Sequence, residues 1–191
     1  MDIFEFVLVM VSLVLAIGLT GLLREVSRMI SDRKIRRFDW VRLIWIAILF
    51  LYVVSYWWSM WDFREVEWTF PSYVFLLLVP TLLYIAMDLM VRCGASTGAT
   101  TPAEAFEGIR VPFFATMFVV QMFGTWDDWL LSVAPVWTPL RWLQIVVILL
   151  FASGAFVSRP AAQKAIAISA FALIVFGMFG LRYLPGALGP G

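Results

Sequence analysis

The length, composition and charge of this chain exclude a soluble globular domain. It has 191 residues, of which 63% are hydrophobic and 14% charged, whereas a soluble domain is roughly half apolar and about a quarter charged. The formal net charge of +1 says little, because the basic residues are unevenly placed along the chain. We therefore expect an integral, multi-pass protein of the cell inner membrane.

Missing residue types exclude several kinds of chemistry. The sequence has no histidine and a single cysteine, Cys93. This excludes histidine-ligated haem, histidine-containing metal sites, a serine–histidine–aspartate triad, an intramolecular disulfide and a cysteine metal cluster. The sequence also lacks a phosphate-binding glycine loop, a potassium-channel filter and a zinc-protease motif. We expect no metal, no cofactor and no enzymatic activity.

Apolar stretches of the length needed to cross a membrane, about 20 helical residues, follow one another along the chain. They predict an all-α fold, with a single transmembrane domain over residues 1–191 built as one bundle of about six helices. In chain order the predicted spans are residues 3–23, 43–61, 71–91, 102–124, 139–157 and 162–181.

The first connection is the most charged part of the sequence. Residues 24–42 form a predicted basic loop on the cytoplasmic side. Val26, Met29 and Ile30 have helical spacing, so we expect the first helix to continue beyond the membrane with an apolar side.

The fourth span has a short apolar part. Its apolar part, residues 111–123, is too short to cross a membrane alone, and Pro112 should bend it. Thr101-Pro102-Ala103-Glu104 has the pattern of a capping box and predicts a helix start at Pro102. A span over residues 102–124 is one interpretation, and a re-entrant or interfacial segment is the other.

The distribution of basic residues predicts the orientation, since loops rich in Lys and Arg stay in the cytoplasm. With the N-terminus and the C-terminus outside (periplasmic), eleven of the 14 basic residues lie on the inner side and three on the outer side, namely Arg64, Arg141 and Arg182. Tryptophans agree with this, because most fall near the outer interface, while Trp40 and Trp45 mark the inner one.

Arg33, Lys34, Arg36 and Arg37 are candidates for contact with anionic lipid headgroups or with an acidic partner. The alternative, which we favour, is that the run only determines topology, with weak attraction to anionic lipid. A nucleic-acid partner is not expected, because the run is short and close to the membrane.

Four polar residues within the spans are candidates for chemistry: Asp88, Gln121, Gln144 and Tyr84. One hypothesis is a polar pathway formed by these four residues. The other, which we favour, is that the amides hold helices together and that Asp88 pairs with Arg92 four residues later.

Small residues at four-residue spacing, such as Gly154 with Ser158 and Ala165 with Ser169, permit close helix approach within or between chains. Together these features predict a non-enzymatic membrane subunit that acts through helix–helix and lipid contacts. It would form a homo-oligomer or be an accessory subunit of a larger membrane complex. The alternative function is a small oligomeric channel or transporter for an ion or small solute.

Overall fold

The described residues of the computed structural model, 3–31, 40–64, 68–95, 101–130 and 139–182, form six helices and no strands. The helices are α1 Ile3–Ser31, α2 Trp40–Ser59, α3 Phe70–Ala95, α4 Pro102–Leu130, α5 Pro139–Phe156 and α6 Pro160–Phe176. A 3₁₀ turn, Met60–Phe63, continues α2, and a π-helical turn, Gly177–Arg182, continues α6.

Each of these helices is long and apolar enough to cross a membrane. Of the six spans, α5 is the shortest, with 18 residues, and it extends about 27 Å at 1.5 Å per residue. The helix α6 has 17 residues, and with the turn that continues it the sixth span has 21. The prediction of an all-α fold with six such helices is confirmed.

Successive helices run antiparallel. The pairs of residues in contact that establish this are Glu25 with Arg42, Tyr56 with Leu76, Phe75 with Phe123, Phe114 with Gly154, and Leu143 with Gly177. We call the end of the bundle at which α1, α3 and α5 begin the N-terminal end, and the other the opposite end.

Five helices form a closed ring in the order α2, α3, α4, α5, α6, and α6 packs back on α2. The first helix lies outside this ring, mainly against α3. Gly18 lies at this contact, where an added Cβ would overlap the end of the Met87 side chain of α3.

Aromatic side chains fill the ring towards the opposite end. Trp45 is fully buried and meets Phe113 and Phe114 edge to face, with ring centroids 5.3 and 5.2 Å apart. Phe151 of α5 and Phe106 of α4 complete this group, which we call the aromatic plug. The assignment of Trp45 to an interfacial belt was wrong, because its indole lies in the core, whereas Trp40 is 67% exposed.

The beginning of the predicted basic loop is helical, because α1 continues to Ser31. The expected apolar side of this extension is only partly correct: Met29 is buried, but Ile30 is 74% exposed. At the start of α4, the backbone N–H of Glu104 donates to Thr101 Oγ1 at 3.3 Å, as the capping box predicts. The helix then continues through Pro112 without interruption.

Candidate functional site

A partly open cavity of about 110 Å³ lies inside the ring, between the aromatic plug and the N-terminal end. All five ring helices, with the turn that continues α6, contribute to its wall. Its polar lining residues are Tyr52, Ser55, Tyr56, Ser59, Gln121 and Gln144.

One face of α2 supplies four of these polar groups. Tyr52, Ser55, Tyr56 and Ser59 are separated by three, one and three positions, which places them on the same side of a helix. These four residues were not among the predicted site residues, although their spacing within a span was a detectable signal.

Pro80 of α3 explains the position of Tyr56. A proline has no backbone N–H, so the carbonyl of Leu76, four residues earlier, loses its partner within the helix. The Tyr56 hydroxyl donates to that carbonyl at 2.8 Å. The polar face of α2 therefore supplies the hydrogen bond that α3 loses at Pro80.

Gln121 and Gln144 face the cavity from α4 and α5. The Tyr52 hydroxyl donates to Gln121 Oε1. The buried Arg141 donates from Nη1 to Gln144 Oε1 at 3.1 Å and to the backbone carbonyl of Thr125. These bonds fix both amides and tie α2 to α4 and α4 to α5.

The cavity wall contains no ionised side chain among the described residues. A group of three or more His, Cys, Asp or Glu residues that could hold a metal ion is also absent from the described ranges. The arrangement can therefore bind a molecule through hydrogen bonds and apolar contact, and the titratable groups of its described lining are the phenols of Tyr52 and Tyr56.

The other residues of the hypothetical polar pathway lie elsewhere. Asp88 pairs with Arg92, whose Nε is 2.6 Å from its Oδ2, as the four-residue spacing predicted. Tyr84 is 37% exposed, beside Gly18 of α1. The structure thus brings Gln121 and Gln144 together and leaves Asp88 and Tyr84 outside the cavity. Arg33, Lys34, Arg36 and Arg37 lie outside the described residues.

A buried ion pair at the opposite end was not predicted. Glu25 of α1 is 2% exposed and pairs with Arg42 of α2, and Arg28 lies 3.3 Å from its second oxygen. Gly94 of α3 covers the pair, and a Cβ there would overlap both side chains. Glu25 and Arg42 therefore belong to helix packing, although the sequence placed them in a solvated loop.

Two polar side chains cap the end of α5 near the same end of the bundle. Arg110 donates to the carbonyls of Gly154, Ala155 and Val157, and Gln163 donates to those of Gly154 and Val157. The last carbonyls of a helix have no partner within it, and cations and amides are suitable donors for them. This cluster is a helix cap.

Comparison of the chain with protein-family models, with curated proteins and with solved structures found no match.

Proposed function

We propose that this chain is a non-enzymatic, multi-pass membrane protein that binds a small molecule inside its helix ring. The convergence of Gln121 and Gln144 on one cavity carries the proposal. Binding sites in helical proteins are commonly clefts between helices, mostly apolar with a few converging polar groups. Amides from two helices, each held by a protein donor, fit that description.

The absence of charged groups in the wall supports binding rather than catalysis. General acid–base and nucleophilic catalysis need a titratable or activated side chain within reach of the substrate. In the described lining the titratable groups are the phenols of Tyr52 and Tyr56, and both hydroxyls already donate hydrogen bonds within the protein.

Two glycines of α4 allow a matched test. A Cβ added at Gly124, in the cavity wall, or at Gly108, on the exterior, meets no atom within 4 Å. We expect Gly124→Val to fill the cavity and Gly108→Val to leave it open. In lipid particles extracted directly from membranes, mass spectrometry should find a small molecule in stoichiometric amount with the wild type and Gly108→Val, but not with Gly124→Val. Identical small-molecule content in all three would contradict the proposal.

The orientation that accompanies this proposal places the N-terminal end outside the cell, in the periplasm. Support comes from Trp57, Trp58, Trp61 and Trp142, which are exposed near that end, and from exposed basic residues such as Arg24 near the opposite end. A membrane-impermeant thiol reagent should label Glu65→Cys, but not Ser31→Cys, in intact cells that carry Cys93→Ser. Labelling of the Ser31→Cys site would reverse the orientation.

Assembly with a second copy or with another membrane subunit is the second candidate. Gly18, Gly154 and Gly177 are already used for packing within the chain, but Ala165 and Ser169 lie on the exposed face of α6. In a Cys93→Ser background, Ala165→Cys should form an intermolecular disulfide if this face pairs with itself, whereas the buried Ala167→Cys should not. Equal cross-linking at both positions would contradict pairing through this face.

Transport is less well supported. The aromatic plug closes the ring between the cavity and the opposite end, so passage would require these rings to move. Flux of a bound solute in proteoliposomes would support transport, and retention without flux would support binding alone.

A further inference from the structure

The chemistry of the two amides specifies what the cavity can recognise. An arginine side chain has donors and no acceptor, so the atom of Gln144 that meets Arg141 must be its oxygen. The Gln144 Nε2 group is therefore the other end of the amide, and no hydrogen bond from it to another described residue is present. The Nε2 group of Gln144 therefore has N–H donors that no described residue accepts.

The Tyr52–Gln121 pair also leaves a donor unused, whichever way its amide is turned. As described, the tyrosine hydroxyl donates to Oε1 and leaves the Nε2 hydrogens free. With the amide reversed, Nε2 would donate to the hydroxyl oxygen and the hydroxyl proton would be left. This conclusion is independent of the assignment of oxygen and nitrogen.

The remaining hydroxyl protons of known direction are already used. Tyr56 donates to the carbonyl of Leu76, and Ser59 donates to the carbonyl of Tyr56, both at 2.8 Å. Buried N–H groups without a partner are rarer and costlier than acceptors with a spare lone pair. The unused donors of the cavity wall therefore need a ligand that supplies a hydrogen-bond acceptor atom.

We propose that the ligand of the cavity is a small, neutral molecule with an apolar body and a carbonyl-type oxygen that accepts hydrogen bonds from Gln121 and Gln144. This inference rests on the proposed function and names its ligand class. Neutrality follows from the uncharged wall, and the apolar body from lining residues such as Leu83, Val147 and Ile174. An enclosed cavity of about 150 Å³ holds benzene. This cavity is smaller, about 110 Å³, but partly open, so it takes a chain segment or a small ring that extends through the opening. A free ketone or amide has this chemistry, and so does the ester carbonyl of a membrane lipid.

Nuclear magnetic resonance of the glutamine side chains provides the test. The sequence has three glutamines, Gln121, Gln144 and Gln163, and Gln163 caps α5 outside the cavity. Protein labelled with ¹⁵N-glutamine would be titrated in lipid nanodiscs with cyclohexanone, and separately with methylenecyclohexane, which has the same shape but no acceptor oxygen. We expect the signals of Gln121 and Gln144 to shift saturably with cyclohexanone, while that of Gln163 stays in place. Methylenecyclohexane should bind at least about tenfold more weakly, because it leaves the N–H groups unpaired.

The possible outcomes separate the ligand class from the proposed function. Equal binding of both probes would overturn the ligand class and leave a binding cavity. No shift with either probe in nanodiscs of ether-linked phospholipid, which has no ester carbonyl to occupy the site, would overturn both proposals. In Gln144→Leu, preference for cyclohexanone over methylenecyclohexane should fall, and the unchanged Gln163 signal would show that the variant is folded. Unchanged preference in that variant would count against the proposal.

A second lipid distinguishes the two sources of carbonyl. In nanodiscs of ester-linked phospholipid, a lipid ligand would already shift the Gln121 and Gln144 signals before any probe is added, relative to nanodiscs of ether-linked phospholipid. Identical starting spectra in the two lipids, followed by a cyclohexanone shift in both, would assign the site to a free carbonyl compound. Either result supports the class of ligand.

Discussion

Gly94 is the residue on which the packing of the buried ion pair depends most directly. The Glu25 carboxylate is 2% exposed, and leaving a buried charge without its partner costs about 3–5 kcal/mol. Since an added Cβ would overlap both charged groups, they can keep their pairing only if the two side chains shift together or the end of α3 moves. Because Gly94 has no side chain, α3 can pack directly against the ion pair that links α1 and α2.

We expect Gly94→Ala to lower the free energy of unfolding by about 1–3 kcal/mol, the usual cost of overpacking. Gly108→Ala is the matched control, because its Cβ meets nothing and alanine favours a helix by about 0.5–1 kcal/mol over glycine. Denaturation in mixed detergent micelles would measure both. Equal stability of the two variants would show that Gly94 has no packing role.

The sequence identified the two glutamines of the cavity but could not place them together. A polar residue in an apolar span is visible by composition alone. Which residues share a wall depends on the rotation of α4 and α5 about their axes and on the ring order. Glu25 was missed for a different reason, because a charge at the edge of a charged stretch resembles a solvated residue. Its spacing from Leu22 and Met29, which share its buried face, was the available signal.

At the scale of elements, Tyr56 of α2 and Pro80 of α3 should be coupled in their effects on the free energy of unfolding. We expect Tyr56→Phe to cost about 0.6 kcal/mol, with an upper range near 2 kcal/mol, as hydrogen bonds between membrane helices do. In a Pro80→Ala background the cost should be smaller, because the new backbone N–H can bond the Leu76 carbonyl within α3. Tyr84→Phe is the control, since no hydrogen bond of its hydroxyl to a described residue is present.

A double-mutant cycle of unfolding free energies would measure this coupling. The same cost for Tyr56→Phe with and without Pro80 would contradict the explanation given for the position of Tyr56.

The extents of α1 and α4 show what an apolar stretch can predict about an element. Hydrophobicity identifies a span but not the ends of the helix that contains it. A helix can continue beyond its apolar residues wherever its backbone hydrogen bonds are still formed. Thus α1 extends to Ser31 and α4 to Leu130, beyond the spans predicted at residues 3–23 and 102–124. The cap at Thr101 was predictable, since its chemistry is local in sequence.

At the scale of the whole molecule, the ring explains how a chain with few polar residues forms a polar-lined interior. The first helix packs outside, and the aromatic plug fills only the part of the ring towards the opposite end. The space that remains contains Gln121, Gln144 and the polar face of α2. Sequence alone could not predict a ring of five with one helix outside, because every span is apolar enough to occupy any position.

The central claim is that the ring encloses a cavity that small molecules can reach. Cysteine reactivity tests it directly, because the thiolate rather than the thiol reacts and a thiolate requires a hydrated site. Three valines give matched positions: Val147 lines the cavity, Val11 is fully buried on α1, and Val146 is 49% exposed on the outside of α5. Each would be changed to cysteine in a Cys93→Ser protein held in nanodiscs and treated with methyl methanethiosulfonate.

We predict that Val147→Cys reacts faster than Val11→Cys and Val146→Cys, and that adding Gly124→Val slows the reaction of Val147→Cys. Reaction of Val147→Cys no faster than Val11→Cys, or at a rate that Gly124→Val leaves unchanged, would contradict the existence of an accessible cavity.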